Sequence, residues 1–496
     1  MAGPTTLRMR PQNVGEAVGT IVVVMMENRS FDHLLGWMSL PQYGGRSDIE
    51  GLKGDLDPKT RELLERGYQN SGRSRIWRPF MAKVDDRLKD DLPHGRDRVW
   101  TQMHAGKTPG TFAMDGFVEA WFQEHPAIKL KPDEFPDPMR MMPPELVPAT
   151  AFLARNFMVC DHWFSPIPTD THPNRLMSLC GYTKIDQTSG EPKLAGPIPG
   201  IPDHETVLDW CEDRNLRWRV YSEHFSFVTL FTALRPHGLE HEPKHFRNVS
   251  ELAHDFRSES EATFPQFILV EPAYSDDPLV KKPDDNHPPN PMGPGEAFLA
   301  EVYRAVTVNP KRWESTVMIL LYDEHGGFWD HVPPFPVTTA PPGFSDDAWT
   351  DKNPFKFSGP RVPAIVVSPL VGKGSRSTLR FDHTSILQML ADIADPGTAY
   401  SEIVGKRHQE GQIHSLSEVI SGSPVQGKAP PLDTFKLAGM EPAPPPQKMT
   451  PGMLAFDQAR KALAAQRAQA AEALAQGAGP KVKLGAPNYI AARHSG

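Results

Sequence analysis

The stretch Thr316–Pro334, TVMILLYDEHGGFWDHVPP, decides the fold class of this chain. Its apolar run Val317–Tyr322 predicts a buried strand, which ends abruptly at the sequence DEHGG of residues 323–327. Two adjacent carboxylates and the imidazoles of His325 and His331 crowd the end of this strand, and the glycine pair lets the backbone turn tightly. So many hard ligands at one buried turn predict a metal-assisted hydrolase.

Short apolar segments of the same kind recur along the chain, separated by helical patterns. The predicted strands are Thr20–Met26, Trp218–Tyr221, Phe267–Val270, Val317–Tyr322 and Ala364–Ser368. The predicted helices include Ala149–Asn156, Thr206–Arg214, Gly295–Val308 and Thr384–Ile393. This alternation predicts an α/β fold, with a mostly parallel central sheet covered by helices on both faces. Catalytic residues should then gather at the carboxyl ends of the strands.

Changes in composition suggest how the chain is organised. Residues 1–420 read as one catalytic domain, in which the polar segment of about 40–110 is an insertion or a lid over the site. Residues 421–496 begin as a Pro-rich linker and continue as an Ala-rich helix over Pro451–Gly477. We expect this helix to be a packing arm or an oligomerisation element.

Charge and motif content exclude several classes of protein. The net charge is −8 and no long basic run occurs, so we expect no nucleic-acid partner. Thr20–Met26 is too short to span a bilayer, so we expect no transmembrane segment. The patterns GxSxG, GxxxxGK[ST], GxGxxG, CxxC and HExxH do not occur where their chemistry requires them, which argues against the commonest serine hydrolases, nucleotidases and zincins.

The N-terminal residues bear on location. Residues 1–20 lack the long apolar core of a signal peptide, so we expect the chain as given to be cytoplasmic. A leader removed from its start would make the protein secreted or periplasmic instead.

A second group of ligands follows the first predicted strand, in the sequence MENRSFDH of residues 26–33. Glu27 offers a carboxylate and Asn28 an amide oxygen, and both are hard ligands that suit a divalent cation. The alternative is that Asn28 or Ser30 caps a helix beginning near Phe31. The two roles are compatible.

A Pro-rich loop within Asp161–Cys180 brings a hydroxyl to the start of a predicted helix near Pro173. Helix N-termini attract anions, and a Thr171 hydroxyl beside a metal ion can attack phosphorus. Arg175 would steady the charge that develops there. The alternative is an ordinary capped helix without chemistry.

Histidines in three further loops are candidates for the site. His287 stands between Asn286 and a proline pair, which suits a grip on a phosphoryl oxygen, whereas the acidic residues before it read as solvated. His94 and His104 lie in polar surroundings, where a surface histidine is the default reading. His383 precedes a predicted helix, and we expect it to face the site.

Taken in order, these motifs resemble the bacterial phospholipase C / acid phosphatase phosphoesterase family, part of the alkaline phosphatase-like superfamily. The resemblance covers roughly residues 17–395. The matching segments are ENRSFDHLLG at Glu27–Gly36, LPH to MDGF at Leu92–Phe117, THPNR at Thr171–Arg175, EPAYSDD to DNHPP at Glu271–Pro289, DEHGGFWDHVPP at Asp323–Pro334 and DHTS at Asp382–Ser385.

The resemblance implies roles for individual residues. One divalent cation, for which Ca, Mg, Mn, Zn and Fe all stay open, would be held by Glu27, Asn28, Asp323 and Glu324. Thr171 would be the nucleophile, and His94 and His287 would bind phosphoryl oxygens or move protons. The residues expected to contact the substrate are Arg175, Asn174, Asn286, His104 and His383. Asn286 stands where some relatives carry an aspartate.

The resemblance predicts a phosphoric ester hydrolase that acts through a phosphothreonine intermediate. It leaves open a phospholipid head group or a small phosphomonoester as the substrate, and the lack of a visible export signal and of C-terminal β domains favours the monoester. A sulfatase is disfavoured because no CxPxR or SxPxR motif occurs. The alternative is a catalytically silent relative that serves as a binding or assembly module, with homo-oligomers formed through the C-terminal arm.

Overall fold

A computed structural model describes residues 14–475 of the chain, apart from residues 86, 105, 107–109, 184, 186–187, 189–204, 231–243, 340–353 and 435–448. Its strands are β1 (Thr20–Met26), β2 (Asn70–Gly72), β3 (Arg75–Trp77), β4 (Phe80–Met81), β5 (Arg140–Met141), β6 (Met158–Cys160), β7 (Trp218–Ser222), β8 (Phe246–Arg247), β9 (Phe267–Glu271), β10 (Thr316–Tyr322), β11 (Ala364–Val367) and β12 (Arg376–Ser377).

Eight of these strands form the central sheet, in the order β12-β6-β11-β10-β1-β9-β7-β8. Within it only β11 runs antiparallel to its neighbours. Every side chain of β1 and β10 is buried, so both faces of the sheet are covered there, as the continuous apolar runs predict. The predicted mostly parallel sheet is confirmed.

The helices of the described chain are α1 (Val14–Ala17), α2 (Phe31–Leu35), α3 (Arg96–Met103), α4 (Phe117–Glu124), α5 (Pro148–Asn156), α6 (Thr171–Cys180), α7 (Val207–Asp213), α8 (Leu252–Ser258), α9 (Gly293–Val306), α10 (Pro310–Trp313), α11 (Thr384–Ala394), α12 (Glu402–Gln409) and α13 (Pro451–Ala475). All four predicted helices are present. None of these described helices, including the 25-residue α13, combines the length and the apolar character that crossing a bilayer requires.

The five predicted strands are also present, each within one residue of its predicted bounds. In the central sheet the prediction missed β6, β8 and β12, which are two or three residues long and carry too little periodicity to be recognised. Of these, β6 matters most for function, because the loop after it leads to Thr171.

The direction of the strands brings four loops together. The carboxyl ends of β1, β6, β9 and β10 lie at the same edge of the sheet, because these strands share one direction. The loops that follow them at this edge begin at residues 27, 161, 272 and 323. They carry the candidate site residues that the sequence places at strand ends.

The segment of residues 40–110 packs into the main core rather than lying loosely over it. Leu52, Leu63, Trp77 and Val99 are buried in the same hydrophobic cluster as the central strands. The segment also carries His94 into the site.

The C-terminal helix α13 packs against the loop that follows β9. The ring of Phe456 lies 5.7 Å from that of Tyr274 and 6.4 Å from that of Phe227. Arg460 forms an ion pair of 2.5 Å with Asp277. The helix thus contacts this loop in the structure, and its role as a packing arm or an oligomerisation element stays a prediction.

A buried ionic cluster joins the loops after β1 and β10. The guanidinium of Arg361 donates hydrogen bonds to Asp330 at 2.8 Å and to Asp32 at 3.1 Å. His331 lies 2.6 Å from the other oxygen of Asp32, and its second nitrogen lies 3.4 Å from Glu50. Because each charge has a partner, the cluster holds the two loops together without leaving a buried charge alone.

This cluster predicts a pH dependence of stability. Burial lowers the pKa of His331, but Asp32 and Glu50 outweigh it and raise that pKa to about 9. Because an unfolded histidine titrates near pH 6.5, the stabilisation is complete below about pH 6.5 and is lost as the pH rises through 9.

We therefore expect the stability difference between the parent and His331→Gln to shrink by about 3 kcal/mol between pH 6 and pH 9. Urea unfolding at several pH values measures it, with His254→Gln on the exposed face of α8 as the matched control. Parallel profiles for the parent and His331→Gln would contradict the assignment.

Candidate active site

The turns after β1 and β10 lie side by side because the register pairs Met26 with Tyr322. The backbone N–H of Asn28 donates to Asp323 Oδ1 at 2.9 Å, and the N–H of Arg29 donates to the carbonyl of Glu324 at 3.0 Å. These bonds fix the two turns to one another. They bring together the four residues that the resemblance assigns to the cation, and all four are buried.

The backbone geometry of these turns explains the glycine after the ligands. Asn28 has a φ of 59° and Gly326 a φ of 62°, so both adopt the left-handed conformation. Asn tolerates this region better than most residues, and Gly adopts it freely. A Cβ atom on Gly326 would overlap the backbone carbonyl of Asn28. The close approach of the two turns therefore requires glycine at this position.

Unpartnered oxygens in this cluster fit a divalent cation. Asp323 Oδ2 and Glu324 Oε1 are buried and have no hydrogen-bond partner among the described residues. Burial raises the pKa of both Glu27 and Glu324 well above the usual value, and Asp323 raises each further. Buried carboxylates that repel one another need positive charge nearby. Carboxylate and amide oxygens are also the ligands that hard divalent cations prefer.

Thr171 stands beside this set of oxygens as the first residue of α6, two residues before the predicted helix start. Its hydroxyl lies 3.4 Å from Glu27 Oε2 and 3.4 Å from Asn28 Oδ1. A helix N-terminus carries free N–H groups and a partial positive charge, which attract an anion. The hydroxyl, the oxygen cluster and the helix end therefore converge on one point.

Arg175 reaches the same cluster from one turn further along α6. Its guanidinium donates to Glu27 Oε1 at 2.5 Å and lies 3.9 Å from Asp323 Oδ2. It also donates to the hydroxyl of Tyr274 at 3.0 Å and packs against the ring of Phe227. In this structure Arg175 therefore orients and neutralises the carboxylates, where the sequence leads us to expect a contact with the substrate.

Two histidines complete the site. The Nδ1 atom of His94 lies 2.6 Å from the carbonyl of Leu92, and that of His287 is bonded to the carbonyl of Pro288. These bonds leave Nε2 of each ring for other partners, and Nε2 of His94 lies 3.3 Å from the side-chain nitrogen of Asn28.

Acidic groups around both histidines favour their protonated forms. Burial lowers the pKa of His94, but Glu324 and Asp91 outweigh it and raise it to about 9. Burial likewise lowers the pKa of His287, but Asp91, Asp276 and Asp285 outweigh it and raise it to about 10. Two imidazolium groups beside a helix N-terminus form a place for an anion.

Two other clusters have the spacing of a metal site, and they differ in what surrounds them. Ligand atoms of Asp91, His94 and His287 lie within 4.8 Å of one another, and so do those of Asp32, Asp330 and His331. In the second cluster the guanidinium of Arg361 already donates to both carboxylates, so a cation of the chain itself holds that place. The first cluster belongs to the anion-binding side of the site.

Two asparagines expected at the substrate are engaged elsewhere. Asn174 accepts from the N–H of Ile167 at 3.1 Å and donates to the carbonyls of Thr169 and Asp170, both at 3.0 Å. Asn286 is buried and donates to the hydroxyl of Tyr322 at 2.8 Å. Asn174 therefore shapes the loop before Thr171, and Asn286 anchors the loop before His287.

Two histidines expected to contact the substrate lie elsewhere, one at the surface and one buried behind the ligand turn. The side chain of His104 is 64% exposed and pairs with Asp115, at the surface. His383 is buried, and its Nε2 donates to the carbonyl of Asp323 at 2.6 Å while Nδ1 accepts from Trp163. Burial lowers the pKa of His383 to about 4, so its ring is neutral and supports the turn that carries the ligands.

The fold adds to the site several residues that the sequence did not single out. Tyr274 binds Arg175, and Asp91 raises the pKa of both active-site histidines. Glu271 ends β9, and burial raises its pKa to about 7. The matching segment EPAY contains Glu271 and Tyr274, and Asp91 directly precedes the LPH segment. Their position in or next to these motifs was the sequence feature that could have identified them.

The acidic loop after β9 corrects a further expectation. Of Asp276, Asp277 and Asp284, which the sequence predicts to be solvated, Asp277 is buried, and Asp284 is half-buried and accepts a hydrogen bond of 2.6 Å from the N–H of Ala273. Burial raises the pKa of Asp284 to about 8. Composition alone predicts a solvated loop. It does not reveal the hydrogen bonds that turn these carboxylates inward, since those bonds form only in the tertiary fold.

The profile of the Phosphoesterase family matches residues 18–395. The chain belongs to this family. It is a phosphoric ester hydrolase, as the resemblance predicts. The match spans all of the strand-end loops described above, including both ligand turns and the start of α6.

Among similar phosphoesterases, Non-specific phospholipase C1 of Arabidopsis thaliana is 30% identical over 76% of this chain and 67% of that protein. Phospholipase C B of Mycobacterium tuberculosis is 29% identical over 75% of this chain and 72% of that protein. A solved protein of the alkaline phosphatase superfamily from Vibrio parahaemolyticus is 11% identical, with a TM-score of 0.28 over 50% of this chain and 60% of that chain.

The close approach of the two turns predicts the effect of Gly326→Ala in this phosphoesterase. The new methyl group must displace the backbone of Asn28, so we expect a loss of about 2–4 kcal/mol in unfolding free energy. Gly411→Ala is the matched control, because Gly411 has a φ of 67° with open space around it. Thermal and urea unfolding measure both. Equal losses for the two variants would show that only the φ angle matters.

Proposed function

We propose that this phosphoesterase is metal-dependent and hydrolyses its ester through a covalent intermediate on Thr171. The observation that carries the proposal is the position of the Thr171 hydroxyl, 3.4 Å from both Glu27 Oε2 and Asn28 Oδ1 at the start of α6. Glu27, Asn28, Asp323 and Glu324 would hold the cation. A divalent cation in that place supplies a Lewis acid that lowers the pKa of the threonine hydroxyl and offsets phosphoryl charge.

In the first half-reaction, Thr171 releases its hydroxyl proton to water and Oγ1 attacks phosphorus, while the bond between phosphorus and the leaving alkoxide breaks. The N–H groups at the start of α6 and the imidazolium groups of His94 and His287 bind the phosphoryl oxygens. One of these imidazolium groups gives its proton to the leaving alkoxide. The products of this step are the alcohol and a phosphothreonine.

In the second half-reaction, water attacks the phosphothreonine from the side that the alcohol has left. The imidazole that gave up its proton now takes one from the water, so the acid of the first step becomes the base of the second. The bond between phosphorus and Thr171 Oγ1 breaks, and Oγ1 takes a proton back from water, which restores the hydroxyl. Arg175 keeps Glu27 oriented throughout, because its guanidinium is bonded to that carboxylate.

For the substrate we propose a phospholipid, cleaved between phosphorus and the glycerol oxygen to release a phosphorylated head group. Support comes from the similar proteins, which carry the name phospholipase C. This choice replaces the small phosphomonoester that the sequence favoured. Hydrolysis of p-nitrophenylphosphorylcholine faster than p-nitrophenyl phosphate is the expected outcome.

The nucleophile assignment predicts the behaviour of two substitutions at one position. Thr171→Ala removes the hydroxyl, so we expect turnover to fall by at least about 10³-fold while the fold and the metal content stay unchanged. Thr171→Ser keeps a hydroxyl and is the matched control, with turnover within about tenfold of the parent. Near-normal turnover by a metal-loaded Thr171→Ala protein would exclude Thr171 as the nucleophile.

The cation assignment predicts metal content independently of activity. We expect about one divalent ion per chain by elemental analysis, and its removal by a chelator should lower the melting temperature by about 2–4 °C. Asp323→Asn should abolish retention of the ion, whereas Glu271→Gln, a buried carboxyl outside the ligand set, should retain it. A chain without metal that hydrolyses neither nitrophenyl ester would instead favour the silent binding module.

A further inference from the structure

The loop after β9 presents apolar and basic side chains at its tip. Its sequence is DPLVKKP over residues 277–283, and Leu279 is 65% exposed. Lys281 and Lys282 follow and are exposed, with no ion pair among the described residues. The same loop continues to His287 in the active site, five residues after Lys282. The tip is therefore an exposed feature joined directly to the reactive centre.

The base of this loop is held firmly, so the exposure of the tip is built into the fold. The N–H of Leu279 donates to Asp277 Oδ1 at 3.0 Å, and that of Val280 donates to the Asp277 carbonyl at 3.0 Å. The carboxylate of Asp277 also pairs with Arg460 of α13. An apolar residue that is held outward in this way has no place in the core of this chain.

The negative charges of the loop point inward, whereas the positive charges point outward. Asp276 accepts from Thr450, Asp284 from the N–H of Ala273, and Asp285 from Ser275. The tip is therefore locally basic in a chain whose net charge is −8. A basic tip on an acidic protein directs that one face toward an anionic surface.

A second apolar side chain lies next to the base of the loop. Met449 is 41% exposed and directly precedes Thr450, which donates to Asp276 at 2.9 Å. Leu279 and Met449 thus flank the same pair of aspartates. Isolated exposed hydrophobic residues are common, but two of them beside two lysines form an amphipathic surface.

We propose that residues 278–282, together with Met449, dock this enzyme on an anionic phospholipid surface beside its active site. The proposal rests on the proposed phospholipid substrate and adds how the enzyme reaches it. Leu279 and Met449 enter the boundary between head groups and acyl chains, and Lys281 and Lys282 pair with anionic head groups. A folded protein partner fits less well, because a stable interface buries about 800 Å² on each side and this surface has few side chains.

Sedimentation of the full chain with lipid vesicles tests the proposal. One vesicle preparation contains phosphatidylcholine alone, and the other also contains phosphatidylglycerol. We expect stronger binding to the second. Leu279→Asp should weaken binding to both preparations by at least about tenfold. Lys281→Gln with Lys282→Gln should weaken binding to the anionic vesicles by about 30-fold and to the neutral ones little.

The matched control for these variants is Val425→Asp. Val425 is 56% exposed, and its N–H donates to the carbonyl of Pro369, just after β11. Because β11 runs antiparallel, its carboxyl end lies at the sheet edge opposite the active site. This variant should bind vesicles like the parent. All of the variants should hydrolyse dissolved p-nitrophenylphosphorylcholine within about twofold of the parent, since the altered side chains lie outside the reactive centre.

The outcomes separate this proposal from the proposed function. Loss of vesicle binding in the loop variants, with Val425→Asp and dissolved-ester turnover unchanged, supports the docking surface. The docking proposal is overturned if the parent does not sediment with vesicles or if the loop variants sediment like the parent. It is also overturned if phosphatidylglycerol does not strengthen vesicle binding. Hydrolysis of the dissolved ester needs no docking on a vesicle, so a failure of the proposed function would appear in that assay instead.

Discussion

The burial of three carboxylates at one point is the constraint on which the rest of this structure depends. Glu27, Asp323 and Glu324 meet at the carboxyl ends of two adjacent parallel strands, and burial raises the pKa of both glutamates. Such a cluster is stable only when positive charge compensates it. The fold supplies Arg175 from α6 on one side and His94 from the 40–110 segment on the other. The oxygens that accept no hydrogen bond from the described residues, Asp323 Oδ2 and Glu324 Oε1, are those that suit a cation.

This distribution of charge also explains why the site uses loops from distant parts of the chain. Each strand end can contribute only a few side chains, so the proposed metal ligands, the proposed nucleophile and the basic side chains come from four different strand-end loops and the 40–110 segment. The buried network around Arg361 keeps two of these loops in register, and Asn174 performs the same task for the loop before Thr171. Residues without a chemical role therefore determine the precision of those that have one.

The sequence predicted the parts of the fold that depend on local pattern. Strands such as β1 and β10 are continuous apolar runs, and the proposed ligands directly follow them. The positions of both the strands and the ligands could therefore be predicted. Asn174, Asn286, His104 and His383 were assigned to the substrate because their neighbours in sequence belong to the site. Which way a side chain points, and which carbonyl or hydroxyl it meets there, depends on tertiary packing. The roles of Asp91 and Tyr274 were missed for the same reason.

The contact between α13 and the loop after β9 has a consequence for the order in which the enzyme is completed. Synthesis proceeds from the N-terminus, so every strand of the sheet and every proposed ligand has emerged before Arg460 does. Until then Asp277, which is buried in the finished protein, lacks its counter-charge. The ion pair between Arg460 and Asp277 is thus made only after the sheet and the proposed ligands have been synthesised, and it adds a late support to the loop that carries His287.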